Sequence, residues 1–168
     1  MKPGIRQKRP NFSLARKDEA MEALVRETDK NILAVWAIAC TERVLPYFQE
    51  KYPDDSRPRH ALETLRAWIQ SGVFSMDGIR GASLAAHAAA REAGEDTAAR
   101  SAARAAGQAV ATAHVSTHSF GAAKYALQAV WRAADPADAE AAIAGERDWQ
   151  YHHLLELRER SDAENSFF

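Results

Sequence analysis

Between Ala82 and Ala134 the chain is so dense in alanine that few folds are open to it. Alanine has the highest helix propensity, because its side chain has no rotamer freedom to lose. Two helices faced with alanine approach closely. Each methyl group buries little area, however, so larger residues must supply much of the core. Within this stretch the expected ones are Leu84, Val110, Phe120, Tyr125, Leu127, Val130 and Trp131. The alternative is a low-complexity linker. Arg91, Arg100 and Arg104, spaced among large apolar residues at helical intervals, argue against it.

The rest of the chain reads as helix too. Met21, Leu24 and Val25 predict a first helix over 18–29. Ile32 to Phe48 predict a second over 31–52, which Pro46 should kink or end at Leu45. A loop over 53–59 leads into a helix with Pro58 in its first turn and Gly72 as its stop. Ser75 is a cap for the next segment, secure as helix from Ala82 to Glu92 after Gly78 and Gly81 weaken its start. Asp96 or Thr97 opens a helix to about Val115. Ser116, Thr117 and Ser119 mark a turn, and a further helix runs from about Phe120 to Ala134. Asp135 and Pro136 signal the start of the last helix, which is expected to reach about Arg160 with a possible break at Gly145. No segment alternates with period two. The expectation is an all-α fold, one compact helical domain of about seven helices with an alanine-rich, close-packed core. A fixed-period repeat is missing, which ranks a single bundle above a solenoid.

The expected organisation is a flexible basic arm over 1–17, the helical domain over 18–160 and a tail over 161–168. The arm holds six Lys and Arg and no acid. It could tether an acidic partner, but a solvated terminus is the favoured reading. Net charge is −1, so the bulk composition makes no case for nucleic acid or an anionic membrane as partner. No run approaches the roughly 18 apolar residues of a membrane span. The single cysteine, Cys40, excludes an internal disulfide framework and fits a reducing, cytoplasmic setting.

Several strings point to a family. They are WAIACTERVLPYF over 36–48, Arg57-Pro-Arg59, and Ala67 with Trp68. They continue with His87 and Arg91 in an alanine run, Gly107, His114-Val115, and ERDWQYHHL over 146–154. In this order and spacing the chain resembles the bacterial putative immunity protein family of polymorphic toxin systems, over about Asn31–Leu154. The resemblance implies an all-helical cytoplasmic protein that binds and neutralises a toxin domain without catalysis or cofactor. The motif residues where a partner would be sought are Glu42, Arg43, Arg57, Arg59, His87, Arg91, His114, His118, Trp149 and His153. The competing reading makes these residues a polar structural network. Arg43, beside an apolar stripe, is expected to snorkel at the surface rather than sit paired and half-buried.

Two other classes compete. One is a metal-dependent or acid–base enzyme on the central histidines. His114 and His118 are four apart and, with His87, could hold a metal. The cap signals between them argue for a break, and no Glu follows the first His as a hydrolase base. His153 with Glu146 or Asp148 could form an acid–base pair, and Trp149 is expected to stack on His153. Cys40 lies in an apolar stripe, where cysteine is usually inert core. The other class is a helical interaction or regulatory module. Arg91, Arg100 and Arg104 could meet phosphate or an acidic surface, weighed against a solvated polar face.

Overall fold

The computed structural model describes residues 12–167. Among them the chain forms eight helices and no strand: α1 (Glu19–Arg26), α2 (Lys30–Glu42), α3 (Leu45–Gln49), α4 (Arg57–Ser71), α5 (Met76–Glu92), α6 (Ala98–Ala111), α7 (His118–Ala133) and α8 (Ala139–Asn165). The helix starts follow local chemistry. Asp18, Asp29, Ser75 and Thr97 each accept a hydrogen bond from a backbone N–H of the first turn they cap. Gly72 closes α4 at φ 67°, in the left-handed region where a side chain would be strained.

α6 is the centre of the packing. Ala99, Ala102, Ala103, Ala105, Ala106, Ala109 and Val110 are all buried, so the helix is apolar around most of its circumference. Such a helix must be enclosed. α2, α3, α4, α5 and α7 all contact it. Because its side chains are small, none of them holds a neighbour at a distance.

The bulk comes from the surrounding helices. Trp36, Phe48, Leu33, Leu62, Leu65 and Leu154 are fully buried. Trp36 also donates from Nε1 to the Gln150 carbonyl at 2.8 Å, tying α2 to α8. Of the large residues expected inside the alanine stretch, only Val110 is fully buried. Phe120, Tyr125 and Val130 pack at the core edge. Leu84 is 57% exposed, on the outer side of α5, which corrects its expected core role.

Several boundaries also differ from expectation. The segment over 31–52 divides into α2 and α3, the ending rather than the kink of the two outcomes expected at Pro46, which brings the count to eight helices. Pro46 is the cause: inside one continuous helix its ring would collide with the Glu42 carbonyl. α2 therefore ends at Glu42, and the proline sits in the first turn of α3. α5 begins at Met76, ahead of both glycines, because the Ser75 cap outweighs them. Residues 135–138 form a turn closed by Asp138 N–H to the Asp135 carbonyl, and α8 starts after it. α8 passes through Gly145 and on to Asn165. The roughly 1 kcal/mol that a mid-helix glycine costs is outweighed by burial of Ile143, Gln150 and Leu154 on the same helix. Most of the expected basic arm lies outside the described residues. Within them, Phe12 packs on Trp131 at 6.2 Å between ring centroids, and Arg16 reaches Glu140 at 3.8 Å.

Candidate partner-binding face

The ten motif residues fall into two kinds of place. Six of them lie in contacts that bind one helix or loop to another. Arg43 makes a two-pronged pair with Glu146, at 2.7 and 2.9 Å, and stacks over the Trp149 ring at 3.9 Å. Trp149 stacks in turn on His153, with centroids 4.8 Å apart and planes 15° apart, as their spacing of four predicts. Arg43 thus lies at the surface, as expected, but is paired there rather than free. The Glu146 carboxylate beside it raises its pKa further. Glu42 pairs with Arg66 and joins α2 to α4. Arg57 binds Asp55 at 2.6 Å and Glu92 at 2.5 Å, which fastens the start of α4 to the end of α5. Gln49, with its amide oxygen toward Arg59, accepts from that guanidinium at 3.1 and 2.7 Å.

These contacts leave no free acid–base pair at His153. Glu146 is taken by Arg43, and Asp148 lies against Arg147. The carboxylate near His153 is that of Glu156, at 3.7 Å. Cys40 is fully buried. Loss of hydration raises its thiol pKa well above the ordinary value, with the Glu146 charge adding to the effect. A thiol so placed is held in the protonated, unreactive form.

The other four residues, His87, Arg91, His114 and His118, lie along the outer side of α5, α6 and α7. α5 and α6 run antiparallel, and their contacts form a ladder. Phe74, just before α5, stacks on His114, just after α6, at 6.2 Å. Ser83 Oγ donates to the Gly107 carbonyl at 2.9 Å. His87 lies over Gly107, so near that a Cβ there would stand 2.7 Å from the ring. Arg104 donates to His87 Nδ1 at 3.0 Å. A guanidinium only donates, so Nδ1 is the accepting nitrogen and the ring proton is on Nε2. Burial, then the charges of Arg104 and Arg91, bring the His87 pKa down from 6.5 to about 4. On the α7 side, His118 donates from Nδ1 to Gln108 Oε1 at 2.7 Å, and burial lowers its pKa as well.

The two ends of this ladder differ in chemistry. At the Phe74–His114 end, large apolar side chains are exposed: Val73 at 72%, Phe74 at 45%, and Met76 and Val115 beside them. Exposed Leu84 continues the apolar surface along α5. The Arg91–Arg100 end is cationic. Arg100 and Arg104 are one turn apart on α6, Arg91 belongs to the last turn of α5, and the charges of both bear on Arg104.

The central histidines are not gathered with a third ligand in metal-binding geometry. Among the described residues no group of three or more His, Cys, Asp or Glu could hold a metal ion. His87 has given its Nδ1 lone pair to Arg104, and His114 is stacked on Phe74. The turn between α6 and α7, in the segment Ser116–Ser119, places His114 and His118 on different elements rather than on one helix face, though the charge of His114 still bears on His118.

Sequence reasoning missed two features. The exposed apolar end is one, since Val73, Phe74 and Met76 read as an ordinary interhelical connection. The other is a cleft of about 320 Å³ between residues 12–18, α7 and α8. Asp18 crosses its rim to Arg147, at 2.8 and 3.0 Å. It draws on distant parts of the chain, and none of the ten motif residues lines it.

Among known proteins, the family model described as "Imm-5 like putative immunity protein" matches residues 23–157. No curated protein and no solved structure matches significantly.

Proposed function

Since the chain belongs to the Imm-5 like putative immunity protein family, we propose that it is an immunity protein that neutralises a toxin domain by binding it, in the cytoplasm, without catalysis. The observation that carries this reading is the outer face of α5 and α6. An exposed apolar end at Phe74, Met76 and Val115 continues into an arginine-rich end, where Arg91 is exposed and Arg100 and Arg104 are half-buried. Such a face suits partner binding, where exposed apolar side chains anchor and charges at the margin guide encounter. The other six motif residues fit the role of fasteners that hold α2, α4, α5 and α8 in place behind that face.

The test is co-expression with the toxin domain encoded beside this gene. The expected result is cell survival and a stoichiometric complex that co-purifies. Survival without a complex would point to another mode of protection. Neither survival nor a complex with any neighbouring toxin would overturn the reading. No helix among the described residues is long and apolar enough to cross a membrane.

A further inference from the structure

Arg91, Arg100 and Arg104 gather at the end of the α5–α6 seam with no described carboxylate at ion-pair distance. Six other described arginines do have one. Arg43 has Glu146, Arg57 has Asp55 and Glu92, Arg66 has Glu42, and Arg147 has Asp18. At the seam no described carboxylate pairs with Arg91, Arg100 or Arg104. Of the acids nearest in sequence, Glu92 is held by Arg57 at 2.5 Å though it also feels the Arg91 charge, Asp96 is held by Arg132 at 3.1 Å, and Glu95 in the connecting loop makes no ion pair with the three.

The arrangement is also built rather than loose. Arg104 is half-buried, and its hydrogen bond is to neutral His87, whose ring is wedged over Gly107. Arg100 stands one turn along the same helix and is half-buried too, while Arg91 is exposed. Like charges at this spacing oppose one another, and partial burial removes some of the water that would screen them. The Arg104 guanidinium is accordingly held below its ordinary pKa, by burial and then by its arginine neighbours. An anion placed among the three would relieve both costs. Carboxylates suit guanidinium forks, which bind them through two parallel hydrogen bonds.

We infer that Arg91, Arg100 and Arg104 form the receiving site for acidic side chains of the toxin domain, with His87 as the positioning residue for Arg104. The inference rests on the immunity reading above and adds the chemistry of the partner: an acidic patch adjoining an apolar surface, in register with the two ends of the α5–α6 face. The cationic end governs encounter and orientation, and the Phe74 end contributes apolar contact.

Two experiments test it. The first titrates a short polyglutamate peptide into full-length protein and follows arginine Nε–H resonances by NMR at low salt. The Arg91, Arg100 and Arg104 signals should shift saturably, and Arg100→Gln should weaken the response. If they move no more than the signal of exposed Arg26, the site is refuted. Free inorganic phosphate at equal concentration should shift them less. An equal or larger phosphate response would make this a small-anion site and overturn the assignment to carboxylates. The second measures association with the inactivated cognate toxin domain. Charge reversal at exposed Arg91 together with Arg100 should slow association about tenfold at low salt and flatten its salt dependence. A folded double variant that binds with an unchanged rate and salt slope would overturn the site yet leave the immunity reading intact. Wild-type protein that binds no toxin would instead remove the reading of neutralisation by binding.

Discussion

Gly107→Ala should reverse its effect on stability according to what stands at position 87. Gly107 lies inside α6 with ordinary helical φ, so nothing in its backbone requires glycine. On helix propensity alone, alanine there should stabilise by about 1 kcal/mol. The neighbours decide otherwise. A Cβ at 107 would stand 2.7 Å from His87 Cε1 and Nε2 and 2.9 Å from Cδ2, distances that real Cβ atoms do not reach. The ring cannot simply swing aside, since Arg104 holds Nδ1 at 3.0 Å. Overpacking of this kind costs about 1–3 kcal/mol. Taking about 2 from that range and subtracting the propensity gain leaves Gly107→Ala destabilising by about 1 kcal/mol, or a Tm loss of about 2–4 °C for a chain of this size. In a His87→Ala background the obstruction is gone, and the same substitution should stabilise by about 1 kcal/mol. The coupling between the two sites is therefore about 2 kcal/mol. Urea unfolding of the four proteins, followed by circular dichroism, measures it. If Gly107→Ala stabilises equally in both backgrounds, His87 does not pack on Gly107, and the account of the α5–α6 seam fails.

Three further outcomes are expected. Stability should fall as pH drops from about 6.5 toward about 4: unfolded His87 takes up a proton across that window while the folded ring, whose pKa is lowered, does not. His118 adds in the same direction, and His87→Gln should flatten the decline in urea midpoint against pH. Cys40, fully buried and held as the thiol, should resist alkylation by iodoacetamide in the native state and react only as fast as the protein unfolds. Labelling of the folded protein that outpaces unfolding would contradict that burial. Trp36→Phe removes the Nε1 donor to the Gln150 carbonyl in a buried site and should cost about 1–3 kcal/mol in urea unfolding, whereas a cost near zero would mean that the α2–α8 bond does not matter.

Much of the fold was legible from local chemistry. Capping residues act on the first turn that follows them, so Ser75 and Thr97 mark helix starts whatever surrounds them. Gly72 ends α4 because the left-handed backbone there favours glycine in any context. The Trp149–His153 stack follows from a spacing of four on one helix. Pro46 was legible as a disruptor, but not its outcome. Whether such a proline bends one helix or divides it depends on whether a new first turn can form and bury Leu45 and Phe48, as it does here.

The ten motif residues show where local reading stops. The pairing of surface Arg43 was not legible because its partner, Glu146, lies 103 positions away. Leu84 looked like core because its helix is amphipathic, yet the buried face of α5 is the one lined by Ala82, Ala86 and Ala89. In an alanine-rich helix the large residue need not be the buried one.

The amino-acid sequence by itself determined an all-α chain, the places where most helices begin and end, and the family to which it belongs. Those follow from propensity, caps and motif order, all of which act within a few residues. Only the tertiary structure separated the arginines that fasten helices together from those left without an acid at the α5–α6 seam. Pairing is a matter of proximity in space, and charges far apart along the chain meet only after the helices have packed.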